Sequence, residues 1–156
     1  MSTTNGKMTI SCPEGFQELD AAERAKFRSI DGPPEVCFRD SDRQMIVCAS
    51  HRKLPLLARA VLNDREIVSS MEKNVSNAMA ANDYKLIGFS ERDVGGKTGN
   101  CFRCNYVAEG ISMASEACFV RDGSMVYNLY VYYRLSRESE SLYVWESILN
   151  SIIWMA

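Results

Sequence analysis

The sequence lacks any apolar run long enough to cross a membrane: no window approaches the ~18 uninterrupted apolar residues of a spanning helix. The longest apolar stretch lies near the C-terminus and is broken by Glu146 and Asn150. Residues 1–9 are polar and carry no apolar core of signal-peptide length. Cys12 has no leader before it, so a lipid anchor is not expected there. A basic excess is also missing. Lys and Arg number 18 against 20 Asp and Glu, net charge −2, with no basic stripe, which argues against nucleic-acid binding. There is a single histidine, His51, so zinc would have to be held mainly by cysteines, and these lack the close paired spacing of such sites. No repeat, low-complexity segment or linker divides the 156 residues. A cytoplasmic protein with no membrane contact is expected, with a disordered tail over 1–6 and one domain over 7–156.

Residues 99–134 dominate what is present. They read as three strands separated by Glu109-Gly110 and Asp122-Gly123, X-Gly pairs of the kind that close two-residue hairpins. Counting outward from Glu109-Gly110 places Tyr106 opposite Met113, Cys104 opposite Ser115, Arg103 opposite Glu116 and Cys101 opposite Cys118. Counting from Asp122-Gly123 places Cys118 opposite Tyr127 and Phe119 opposite Val126. One face then gathers Phe102, Tyr106, Ile111, Met113, Phe119, Val126, Tyr130 and Tyr132. The other gathers Val107, Val120, Met125, Tyr127, Leu129, Val131 and Tyr133. Both faces are apolar, so both need cover, and the last strand should be central.

The flanking segments supply that cover. A short strand over 7–11 is followed by a helix from Asp20, with Glu23 in the reciprocal capping position; the turn 31–34 leads on. A hairpin over 35–39 and 44–50 places Val36, Phe38, Met45, Val47 and Ala49 on one side. Helical turns over 54–62 are interrupted by Pro55. A longer helix begins at Asn63, capped with Glu66, and carries an apolar stripe of Ile67, Met71, Val75, Ala78 and Met79. A strand over 84–94 closes at Gly95-Gly96-Lys97-Thr98-Gly99. A final helix over 136–155 buries Leu142, Trp145, Leu149, Ile152 and Ile153.

The order of these elements resembles the Mog/PsbP-like superfamily, including the DcrB-type bacterial proteins. The resemblance rests on Pro13-Glu14-Gly15-Phe16, Gly95-Gly96 and the terminal Ile148-Leu149-Asn150-Ser151-Ile152, taken in sequence order over residues 7–154. It implies an α+β fold: an antiparallel sheet of six or seven strands with helices packed on both faces. Relatives are mostly binding proteins, so it also implies a non-catalytic protein-binding, adaptor or chaperone-like domain, monomeric or homodimeric, with another protein as partner and no cofactor. No catalytic residues carry over.

Three chemical features compete with that reading. Cys101-Phe102-Arg103-Cys104 is formally a Cys-x-x-Cys, but redox use places such a motif at a helix N-terminus, and positions three apart on a strand face opposite ways. Cys101 and Cys118 are expected to be neighbours with both thiols free. His51 is the one side chain suited to acid–base work near neutrality; in Ser50-His51-Arg52-Lys53 it reads as a surface residue of a polar turn. A small thiol- or histidine-dependent enzyme using His51 or Cys101/Cys104 is the alternative. For binding, the surplus of tyrosines on the meander offers Tyr106, Tyr130 and Tyr132 as interface residues, unless they are simply core with their hydroxyls at the rim.

Overall fold

A computed structural model describes residues 1–27 and 33–156, Arg59 by its backbone only; part of the turn expected over 31–34 lies outside the described residues. The chain opens with β1 (Ser2–Thr4) and β2 (Met8–Ile10), then β3 (Gln17–Glu18) and α1 (Ala21–Arg24). β4 (Val36–Asp40) and β5 (Met45–Lys53) form a hairpin, followed by α2 (Leu56–Val61) and α3 (Asp64–Ala78). The meander consists of β6 (Lys85–Val94), β7 (Lys97–Ala108), β8 (Ile111–Asp122) and β9 (Met125–Arg134). A 3-10 turn (Leu135–Arg137), α4 (Glu138–Asn150) and β10 (Ile153–Trp154) end the chain.

Seven strands make one antiparallel sheet in the order β3-β4-β5-β9-β8-β7-β6. β9, the most apolar strand, is its middle member. The first loop fixes the β7–β8 register as counted: Glu109 and Gly110 both take positive φ, as a type I′ turn requires, and Tyr106 meets Met113, Arg103 meets Glu116, and Cys101 meets Cys118. The second loop is Gly123-Ser124 rather than Asp122-Gly123, because Asp122 pairs with Met125. Gly123 supplies the positive φ at the first loop position. Partners therefore shift by two residues: Leu129, not Tyr127, faces Cys118. A slip of two preserves parity, so the two faces keep their predicted members.

Each face is covered by one long helix. α3 is capped by Asn63, whose side chain accepts from the Glu66 amide, and sets Ile67 and Val68 against Phe102, Phe119 and Val126. α4 covers the other face with Val144, Trp145, Ile148 and Leu149, packed on Leu129, Val131 and Tyr133. Val36, Phe38, Met45, Val47 and Ala49 share one face as expected, and that face is the α4 side. The short α1 carries the expected capping box between Asp20 and Glu23.

Three expectations about the periphery are corrected. Residues 1–6 are not a loose tail, since β1 pairs with β2 around Asn5-Gly6, both at positive φ. The last helix stops at Asn150, and Ile153–Trp154 pairs with the free edge of β2; Trp154 donates its indole N–H to the Val94 carbonyl at 2.8 Å, and Ile153 is exposed. β5 continues past Ser50 to Lys53, held by pairing down to Met125 of β9, so His51 lies within a strand. Among the described residues, no helix is long and apolar enough to cross a membrane.

Candidate functional site

Beneath the C-terminal half of α3 the packing stops short of filling the space. Met71, Val75 and Met79 are only half-buried there, and Ala78 is exposed. The sheet below them presents two small side chains from β8, Ser115 and Ala117, flanked by Cys104 and Phe102 on β7 and by Tyr132 and Tyr130 on β9. Small residues on both surfaces leave a cleft of about 370 Å³, within the usual size of a ligand pocket. Its floor is Phe102, Cys104 and Tyr106 of β7 with Tyr130 and Tyr132 of β9; among the described residues, Arg52 of β5 is the one charged residue lining it.

The structure thus brings Tyr106, Tyr130 and Tyr132 together on one concave surface. Tyr106 is buried and the other two are half-buried. Burial raises the Tyr106 phenol to about 12, with Cys104 beside it adding to the shift; burial likewise raises Tyr132. Both are therefore neutral hydroxyls on aromatic bodies at physiological pH. Tyr84, packed against the same apolar cluster, donates to Glu72 of α3 at 2.7 Å. The Cys104 thiol is pushed up to about 11, chiefly by burial, and so stays protonated.

The other candidates lie elsewhere. Cys101 points to the α4 face, where it is joined to Cys118 in a disulfide with Cα atoms 4.1 Å apart. The two are neighbours as counted, but bridged rather than free: directly opposed residues on adjacent antiparallel strands bring their side chains within bonding reach. Cys101 and Cys104 face opposite sides, so the Cys-x-x-Cys spacing does not make a dithiol. A second opposed pair, Cys37 and Cys48, was not foreseen; its sulfurs are 3.0 Å apart. His51 Nδ1 lies 2.6 Å from Glu35 Oε2 and 3.4 Å from Thr4 Oγ1, clasping β1 to the large sheet.

Cys101, Cys118 and the fully buried Glu116 group three ligand-type atoms within 4.8 Å. The sulfurs are bonded to one another, however, and the carboxylate is committed to cations. Arg92 reaches it at 2.6 and 3.0 Å, Arg103 lies at 3.6 Å, and the Trp145 indole donates at 2.6 Å. The expected Arg103–Glu116 cross-strand pair is one part of this lock, which ties β6, β7 and β8 to α4.

Arg52, Ser115, Ala117 and Asn74 line the cleft without having been singled out in the sequence. The signal available was parity: Cys48, Ser50 and Arg52 alternate on β5, and small Ser115 and Ala117 alternate opposite tyrosines on β8 and β9.

An antiparallel seven-stranded sheet with a helix on each face, its strands running in this order, is the Mog/PsbP-like fold. No family profile matches the sequence, and none of the curated proteins does. Solved structures do. The chain is similar to cyanobacterial PsbP (CyanoP) from Synechocystis sp. PCC 6803 at 13% identity and a TM-score of 0.66, covering 96% of this chain and 93% of that one. It is equally similar in TM-score, 0.66, to LpqN of Mycobacterium tuberculosis, involved in cell envelope biogenesis, at 11% identity over 99% and 89% of the two chains. The Saccharomyces cerevisiae Ran-binding protein Mog1p aligns with a TM-score of 0.58 at 12% identity over 92% and 86%. At these identities the likeness establishes the fold alone.

Proposed function

We propose that this chain is a non-catalytic binding domain that grips another protein through the cleft between α3 and the tyrosine-rich sheet face. The observation that carries this is the convergence of Tyr106, Tyr130 and Tyr132 on one cleft of about 370 Å³. Aromatic residues in a preformed concavity bury large area at low entropic cost, which is what binding hot spots require. Sharing a fold with a Ran-binding protein supports the choice of a protein as partner, as analogy only. His51, Cys104 and the Cys101–Cys118 bridge sit in three separate places, an arrangement that favours binding over concerted catalysis. A cytoplasmic location belongs to the same reading, and the bridge speaks against it, because disulfides persist in oxidising compartments.

The test is capture from extract of the source organism with the wild-type chain and with two plugged variants, Ala117→Phe on the floor and Ala78→Trp at the mouth. A partner retained by wild type and lost with both folded variants supports the reading. Equal capture by all three, or a chain that proves to be a homodimer through another face and captures nothing, overturns it.

A further inference from the structure

Cys37 and Cys48 are directly opposed on β4 and β5, with Sγ atoms 3.0 Å apart and neither bonded to another sulfur. Cys48 lies opposite Tyr130 on β9, so the pair sits on the α3 side of the sheet, away from the Cys101–Cys118 bridge. Opposed positions on antiparallel strands hold their Cα atoms about 4.5–5.5 Å apart, inside the span that a disulfide closes. Cys101 and Cys118 stand in the same relation on β7 and β8 and are joined. The sulfurs of the second pair are only about 1 Å beyond the bonded distance.

The two thiols are not equivalent. The hydrogen bond with Cys48 holds Cys37 below the ordinary thiol value against the effect of burial, and Arg24 and Arg39 act in the same direction. That hydrogen bond and burial push Cys48 up. Cys37 is therefore the readier nucleophile. The cover over the pair is slight. Among the described residues, Leu19 and Phe27, which flank α1, pack on it beside Ile46, Tyr130 and Tyr132. Leu19 donates its amide to the Cys37 carbonyl at 2.8 Å. The β3 strand before it is a two-residue edge strand, and α1 is one turn with no buried residue. A cover with so few contacts opens locally at low cost.

We propose that Cys37 and Cys48 are a reversible dithiol–disulfide couple that exchanges with low-molecular-weight disulfides such as oxidised glutathione. Cys37 loses its proton and its sulfur attacks the oxidant, forming a mixed disulfide and releasing one glutathione thiolate. Cys48 then loses its proton and attacks the Cys37 sulfur, expelling the second glutathione thiolate. Two protein thiols are oxidised to one disulfide, one oxidised glutathione is reduced to two thiols, and the two protons pass to the released thiolates. The chain then carries one standing bridge and one switchable bridge on opposite faces of the sheet. The switchable one forms against Tyr130 and Tyr132, which also line the cleft.

The test equilibrates the native full chain first with reduced and then with oxidised glutathione, and counts alkylated cysteines after denaturation without reductant. Labelling falls from four cysteines to two, leaving Cys12 and Cys104, and peptide mass mapping joins Cys37 to Cys48. Returning the protein to reduced glutathione restores four labels while Cys101–Cys118 stays closed. In Cys48→Ser the reaction stops at a glutathione adduct on Cys37, whereas Cys37→Ser leaves Cys48 unmodified. Leu19→Ala, which thins the cover, speeds closure. Four labels kept in oxidised glutathione by both the wild-type and the Leu19→Ala proteins overturn the proposal. So does a pair that stays closed in reduced glutathione, or a loss of label at Cys12 or Cys104 in its place. An adduct on Cys48 in Cys37→Ser, with none on Cys37 in Cys48→Ser, overturns the order of attack.

Discussion

Replacing Glu116 by glutamine tests the account of how α4 is held to the sheet. The glutamine keeps an oxygen for the Trp145 indole but removes the charge that balances Arg92 and Arg103. Glu116 is 1% exposed, and the two arginine side chains keep 19% and 27% of their accessible surface. Breaking a buried ion pair from one side costs ~3–5 kcal/mol. Residual exposure lets water screen the stranded guanidinium groups, which places the expected loss near the lower bound, about 3 kcal/mol. For a domain of this size that corresponds to a fall of roughly 6–12 °C in unfolding midpoint, measured by calorimetry at neutral pH. Adding Arg92→Met and Arg103→Met to Glu116→Gln should recover most of the loss, because an apolar replacement of the whole cluster leaves no stranded charge. A single variant whose midpoint stays within about 1 °C of wild type would refute the reasoning.

Alkylation of the denatured, unreduced protein should label four cysteines (Cys12, Cys37, Cys48 and Cys104), and labelling after reduction should add Cys101 and Cys118; six labels without reductant would contradict the bridge. Removing that bridge by Cys101→Ser with Cys118→Ser should cost about 3 kcal/mol, the loop-closure value for a link of this sequence separation, read by denaturant titration. Burial of Asp40 opposes its ionisation, but the Arg43 and Asp42 amides and the Arg43 guanidinium outweigh it and hold the carboxyl below the usual range. Its stabilising contribution is therefore complete above that range and disappears as pH falls through the depressed value; Asp40→Asn should flatten the acid limb of stability below about pH 4, and an unchanged limb would refute the assignment. Gly95 has φ +59°, and a Cβ there would collide with the Ile152 carbonyl, so Gly95→Ala should lose roughly 1–3 kcal/mol in equilibrium unfolding; a neutral effect would show that the end of α4 can move away from the β6–β7 turn.

What could be read beforehand follows from how local each determinant is. Glu109-Gly110 sets one register because both residues must take positive φ, and that demand is written in the dipeptide. Asp122-Gly123 misled by two residues because Gly123 suits either position of a two-residue loop, and Asp122 can pair as readily as turn. Asn5-Gly6 carried the same hairpin signal but lay in a polar segment with too little apolar surface to suggest a sheet. The helix pattern of 136–155 ran too far because Ile152 and Ile153 extend its periodicity; only the edge of β2, distant in sequence, converts Ile153–Trp154 to strand. The tyrosine face was legible from parity alone. The cleft was not, because it is a shortage of volume where Ala78, Ser115 and Ala117 meet, and no single segment records it.

The central claim is that binding takes place between α3 and the tyrosine floor. Carbon-13 methyl spectra of methionine-labelled protein test it most directly, because the reporters divide by face: Met71 and Met79 line the cleft, whereas Met8, Met45 and Met125 lie in or against the α4-side core. On titration with the captured partner, Met71 and Met79 should shift and saturate together while the α4-side methyls stay in place. Shifts confined to the α4-side set, with Met71 and Met79 unmoved at saturation, would contradict the account.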